Sequence, residues 1–235
     1  MRRETQNVLL VLLGGALLKI SFNGTYLRYV KAGHQWLLIL AGVVMIALAA
    51  VSIVRELRGA RIHGHDHPAR SAWLLMLPVL AVFLVAPPAL GADTVNRRDA
   101  AESPRTDVAA DGTELFPALP PGDPVDVTLT DFSLRAAWDS GDSLTDRRVR
   151  LTGFVVHDGD NTYVARIAIA CCAADAYPVK VRLRGDDLAA YPDDSWVHLV
   201  ATVVPDSATR ANEYVPTATV HQVTPTTEPE DPYEH

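Results

Sequence analysis

The chain has 235 residues, 49% of them apolar and 21% charged, with a formal net charge of −7. The charge is divided: residues 1–92 carry nine Lys/Arg against three Asp/Glu, and residues 93–235 carry twelve against twenty-five. Nearly all long apolar runs lie in the basic first part, which excludes a uniformly water-soluble chain and predicts a membrane-embedded region followed by an acidic soluble one.

Three apolar segments within residues 1–92 are candidate spans, so two or three transmembrane helices are expected. The first, Asn7 to Phe22 ("NVLLVLLGGALLKISF"), carries Lys19 near its end, where a long side chain can snorkel to the headgroups. Its alternative is an interfacial or core helix. The second, Trp36 to Val54, is nineteen residues without a charge. At about 1.5 Å per residue it nearly crosses a hydrocarbon core of about 30 Å. The third, Ala72 to Ala92, is also uncharged and is kinked by Pro78, which a membrane helix tolerates.

Arg2 and Arg3 precede the first segment, Arg28 and Lys31 lie between the first two, and Arg55, Arg58, Arg61 and Arg70 follow the second. The positive-inside rule then puts the N-terminus and the 55–71 loop in the cytoplasm, and three crossings put the C-terminal region outside. The expected location is the cell membrane, multi-pass, with an extracytoplasmic C-terminal domain. "VAPPALGA" before Asp93 resembles the end of a signal peptide, but it is internal and Leu90 occupies position −3.

Residues 93–124 mix charge, Ala, Thr and Pro and end in "LPPGDP", the composition of a flexible linker. From residue 125 the period changes to two. "VDVTL" alternates, and "DFSLRAAWDSGD" reads as a short helix with Asp131 as N-cap. "VRLTGFVV" and "TYVARIAIACC" read as strands joined by the turn "DGDN". "VKVRLR" sets Val179, Val181 and Leu183 against Lys180, Arg182 and Arg184. "WVHLVATVV" and "YVPTATVHQV" complete five main strands within residues 125–224, and the tail 225–235 is Pro-rich and acidic, the composition of a disordered segment. The fold class expected is an α+β membrane protein: N-terminal transmembrane helices plus a small all-β barrel of the OB type. An immunoglobulin-like β-sandwich, which wants about seven strands, is the alternative.

Both cysteines, Cys171 and Cys172, end an apolar run in "IAIACCAADAYPVKV". Strand parity puts Cys171 on the core side and Cys172 opposite, unless the chain bends there. Three readings stand. The cysteines pack in a core. They form a metal or redox site, with Asp175 and a histidine such as His157 completing a set for zinc or copper(I). Or they form a strained disulfide between neighbours. A second cluster, "HGHDH", places His63, His65 and His67 around Asp66 in the 55–71 loop, either a loose divalent-ion site or a solvated loop. An OB barrel raises nucleic-acid binding, but the acidic soluble part lacks the basic groove that phosphates need. No G-x-S-x-G, P-loop or H-E-x-x-H pattern is present, and no enzyme is read here. A thiol oxidoreductase would need a thiol of depressed pKa, for which Arg166 is the one nearby cation in sequence.

"HDHPARSAWLLMLPVLAVFLVAPPALGA" and "CCAADAYPV", in this order, resemble the YcgQ-like family of permease subunits. The resemblance runs over most of the chain. It implies an accessory subunit that acts with a larger multi-span permease resembling arsenite-permease-type proteins, with metal-ion transport as the suspected task. Carried onto this sequence, it draws attention to Cys171, Cys172 and Asp175, and to His63, His65 and His67, as candidate ligands for zinc or copper. The rival expectation is a membrane-anchored protein-interaction module without metal chemistry.

Overall fold

The computed structural model describes residues 3–58, 80, 84, 88–97, 116–139, 143–185 and 190–235. They fall into two compact units, Met1–Ala89 and Leu90–His235. The expected span over 72–92 and the cluster His63, His65 and His67 lie outside the described residues, apart from Leu80, Leu84 and residues 88–92.

Among the described residues of the first unit, α1 (Arg3–Phe22) and α2 (Gln35–Leu57) form an antiparallel helical hairpin. Thr5–Phe22, with mean hydropathy 1.5, and Ala32–Leu57, with 3.0, are long and apolar enough to cross a membrane. Leu40, Val43, Leu48 and Val51 are exposed on α2, where a helix of a water-soluble protein would carry polar side chains. The two helices meet at glycines. A Cβ on Gly14 would stand 2.9 Å from the Gly42 carbonyl oxygen, and one on Gly42 would stand 2.9 Å from Leu18 Cγ. Small residues of this kind let two backbones approach where no hydrophobic effect drives helices together. Near the turn the Gln35 side-chain amide donates to the Ser21 carbonyl at 2.9 Å, tying α2's first residue to α1's last turn.

The second unit is built on one mixed sheet. Its strands are β1 (Val125–Asp126), β2 (Val149–Asp158), β3 (Asn161–Ala168), β4 (Tyr177–Arg184), β5 (Trp196–Val203), β6 (Thr217–Pro225) and β7 (Tyr233–Glu234). The order is β1-β2-β5-β6-β4-β3-β7, and β2 also pairs with β3. Each of the five long strands therefore has two long neighbours, with β4 and β6 parallel and the other pairs of this cycle antiparallel. β2 serves two neighbours by changing partner along its length: Val149–Phe154 pair with β5, and Phe154–Asp158 with β3. Gly153 sits at the changeover, where a Cβ would lie 2.6 Å from the Ala165 carbonyl oxygen. The alternation expected in "VKVRLR" is present, with Val179, Val181 and Leu183 buried and Arg182 and Arg184 exposed. Phe132, Leu151, Val164, Val181, Leu199 and Ala218 belong to the core so formed.

Three expectations need correction here. First, the linker assigned to residues 93–124 is partly structured. Ala92–Arg97 form helix α3, with Ala92 and Val95 buried, and Leu119 packs on the core. The Leu90 amide donates to the Tyr233 hydroxyl (3.2 Å) and the Ala92 amide to Asp194 Oδ1 (2.6 Å), so residues expected at the end of a span belong to the second unit. Second, helix α4 runs Leu129–Trp138, and its N-cap is Thr128, whose hydroxyl accepts from the Asp131 amide at 3.0 Å. Asp131 instead pairs with Arg135 one turn on (2.9 Å).

Third, the tail 225–235 is ordered at its end. β7 pairs in parallel with β3, Ile167 opposite Tyr233 and Ala168 opposite Glu234. The Glu234 carboxylate accepts from the Leu129 amide (2.9 Å), the Thr130 amide (2.8 Å) and the Thr130 hydroxyl (2.6 Å), satisfying donors that the first turn of α4 cannot pair internally. Arg166, buried beneath, donates from Nη2 to the carbonyls of Asp231 (3.2 Å) and Tyr233 (3.1 Å) and lies 4.9 Å from the Trp196 ring centre. Burial lowers its pKa, and Glu234, Asp231 and Glu228 oppose that shift.

Two predictions follow from this packing. Gly14→Leu should overpack the α1–α2 contact at a cost of about 1–3 kcal/mol and lower the thermal midpoint in detergent. Gly15→Leu should not, because a Cβ there meets nothing within 4 Å. In urea unfolding of residues 90–235, Glu234→Ala should cost about 1–2 kcal/mol, the scale of a lost N-terminal helix cap. An unchanged midpoint would remove the tail from the folded unit.

Candidate metal centre

β3 ends at Ala168, three residues before the first cysteine. Ile169 donates its amide to the Glu234 carbonyl (3.0 Å), and from there the chain leaves the ladder. The next three amides turn to one side chain. Asp175 Oδ1 accepts from Ala170 (2.9 Å), and Oδ2 accepts from Cys171 (2.9 Å) and Cys172 (3.2 Å). A 3-10 turn, Ala173–Asp175, closes the corner, with the Asp175 amide donating back to the Cys172 carbonyl at 3.0 Å. Pro178 and Val179 then bury as β4 begins.

The parity expectation fails for this reason. It extended β3 through Cys172, whereas the Asp175 carboxylate captures the amides that a longer strand would need. Cys171 is exposed and Cys172 half-buried, so neither packs in the core. Their sulfurs lie 3.6 Å apart, the Cys171 thiol donating to the Cys172 sulfur with no disulfide between them. The two sulfurs and a carboxylate oxygen of Asp175 all lie within 4.8 Å of one another.

This proximity sets the protonation. The Asp175 carboxylate beside it, with a smaller contribution from Cys172, pushes the Cys171 thiol up to about 12. The neighbouring thiol, helped by the three backbone amides, in turn holds Asp175 down at about 2. In the metal-free corner Cys171 is a protonated thiol beside an ionised carboxylate. That is the opposite of the electropositive setting that makes a cysteine reactive. Arg166 does not change this, since its guanidinium is engaged by the tail.

His157 does not join the cluster. Its Nδ1 lies 2.8 Å from Asp193 Oδ1, which also accepts the His157 amide at 2.8 Å. Sequence reasoning missed the tail's part in the site: Glu234 fixes the residue from which the corner departs. The only sequence signal for it was an isolated Tyr-Glu pair in an otherwise polar, Pro-rich stretch.

With Asp175 replaced by Asn, the Cys171 thiol should fall toward its ordinary value of about 9, and its alkylation rate at pH 8 should rise by more than about tenfold in metal-free reduced protein. Because Asp175 is lowered in the folded state, its hold on the corner is present above its ordinary value of 3.8 and is lost as pH falls toward about 2. The amide resonances of Ala170–Cys172 should therefore titrate near pH 2 in NMR spectra. Titration near pH 4 would contradict the assigned contacts.

No curated protein matches the chain. A solved structure described as an aspartyl-tRNA synthetase from Leishmania major Friedlin is similar over 49% of this chain at 11% identity, with a TM-score of 0.28. The chain spans only 24% of that structure, and the likeness is too slight to carry an argument. A family model described as the DUF1980 C-terminal domain matches residues 134–235, a stretch that runs from within α4 to the end of β7 and contains the whole Cys171–Asp175 corner.

Proposed function

We propose that the chain is an accessory subunit of a larger multi-span permease, anchored in the cell membrane by its N-terminal helices. Its extracytoplasmic β unit presents Cys171, Cys172 and Asp175 to a thiophilic metal ion, zinc or copper. The observation that carries the metal reading is the placement of both sulfurs on one exposed side, 3.6 Å apart, beside a carboxylate. The apolar outer surface of the α1–α2 hairpin supports the membrane anchor. The match to the DUF1980 C-terminal domain supports the kinship with YcgQ-like permease subunits. The cycle of five paired strands supports a small barrel of the OB type. In this reading the protein is not an enzyme, and the protonated Cys171 thiol weighs against thiol–disulfide chemistry.

A second reading, a protein-interaction module, is favoured by one feature. Trp138 and Tyr214, both exposed on the β unit, have ring centres 4.7 Å apart with planes tilted by 36°, and Glu213 and Tyr214 both hold left-handed backbone, with φ of 56° and 60°. Non-glycine residues held this way often mark functional surfaces.

Affinity purification of the full chain in mild detergent, with identification of co-purifying proteins and elemental analysis, tests both readings. The first expects a multi-span membrane protein and about one thiophilic metal per complex, with the metal lost in the Cys171→Ser/Cys172→Ser variant and the partner kept. Metal content unchanged in that variant would sink the metal reading. A partner lost with Trp138→Ala, and no metal at any stage, would establish the interaction module in its place.

A further inference from the structure

The separation of the two sulfurs narrows the coordination, on the assumption that the metal reading above is right. With metal–sulfur bonds of about 2.3 Å, two sulfurs on one edge of a tetrahedron stand about 3.8 Å apart, and in a linear two-sulfur site about 4.6 Å apart. The observed 3.6 Å, the thiol-to-sulfur hydrogen bond of the metal-free corner, is nearer the tetrahedral edge, so the sulfurs need move least to reach it.

Asp175 supplies the third donor. A carboxylate has about four lone-pair positions. Three accept the amides of Ala170, Cys171 and Cys172, which leaves one on Oδ1, and a carboxylate oxygen lies within 4.8 Å of both sulfurs. An ion entering between the two sulfurs and the carboxylate replaces the Cys171–Cys172 thiol hydrogen bond and leaves all three amide bonds in place. Both thiol protons are released to solvent, and no electron moves. A carboxylate held by backbone amides is also the kind of outer-shell support that orients a metal ligand.

Among the described residues, no fourth cysteine, histidine or carboxylate completes the cluster. Cys171 and Asp175 are exposed, so the remaining side of the corner faces solvent. Closed structural zinc sites carry four protein ligands, whereas three-ligand sites keep one position for water or an incoming group.

We infer that Cys171, Cys172 and Asp175 form a three-ligand tetrahedral site for a divalent ion of zinc's class, with its fourth position open, suited to passing the ion to a second donor.

Cobalt(II), a spectroscopic stand-in for zinc, should be titrated into the reduced full chain in detergent. The thiolate-to-cobalt charge-transfer band reports the sulfur site alone, free of any histidine-bound cobalt. The inference expects that band to saturate at one equivalent, to be bleached by zinc, and to be accompanied by four-coordinate ligand-field bands that shift when imidazole is added. Asp175→Asn should weaken cobalt binding by about tenfold or more. Ligand-field bands unmoved by imidazole would show a closed site and overturn the inference, whether or not the variant folds. Copper(I) bound in preference to zinc, equally well in Asp175→Asn, would show a two-sulfur site, overturning the inference while the metal reading survives. If cobalt(II), zinc and copper(I) all fail to bind the reduced thiols, the metal reading itself falls.

Discussion

Three consecutive backbone amides, those of Ala170, Cys171 and Cys172, converge on the Asp175 carboxylate. These amides are exposed, and at the end of β3 they turn onto a side chain where they could have continued the ladder. Continuing would have split the cysteines between two faces of the sheet. Turning puts both sulfurs on one side. The same carboxylate keeps the Cys171 thiol protonated, so one residue sets both the geometry and the chemistry of the corner.

The corner is held at its root by the far end of the chain. β7 pairs with the last residues of β3, and the Glu234 carbonyl takes the amide of Ile169, the last residue before the turn. The Glu234 side chain meanwhile caps α4, and the carbonyls beside it occupy Arg166. Two carboxylates thus do similar work close together: Glu234 satisfies donors at a helix start, and Asp175 satisfies donors at a strand end. Both fix backbone that would otherwise be free to fray.

Local patterns carried much of the fold. Alternation in "VKVRLR", the turn "DGDN" and the run "WVHLVATVV" mark β4, the β2–β3 hairpin and β5 within a few residues, because period and turn chemistry are local properties. What escaped depends on contacts distant in sequence. Tyr233–Glu234 is too short to show a period and is ordered by partners far back in the chain, β3 and the first turn of α4. Helix α3 sits in a stretch of linker-like composition and is ordered by Val95 burying on the β unit. At the site, the three residue types were legible as a ligand set, but their arrangement was not. Nothing in "CCAADA" itself says that the aspartate reaches back to end the strand.

The glycines of the α1–α2 hairpin are a parallel case, since only the contact of Gly14 with Gly42 distinguishes them from Gly15. The reading of the corner as a shared ligand set is open to direct measurement. Zinc-edge X-ray absorption on the full chain loaded with one equivalent of zinc would show two sulfurs at about 2.3 Å and a light-atom shell at about 2.0–2.2 Å, if Cys171, Cys172 and Asp175 bind together. A first shell without sulfur would contradict it.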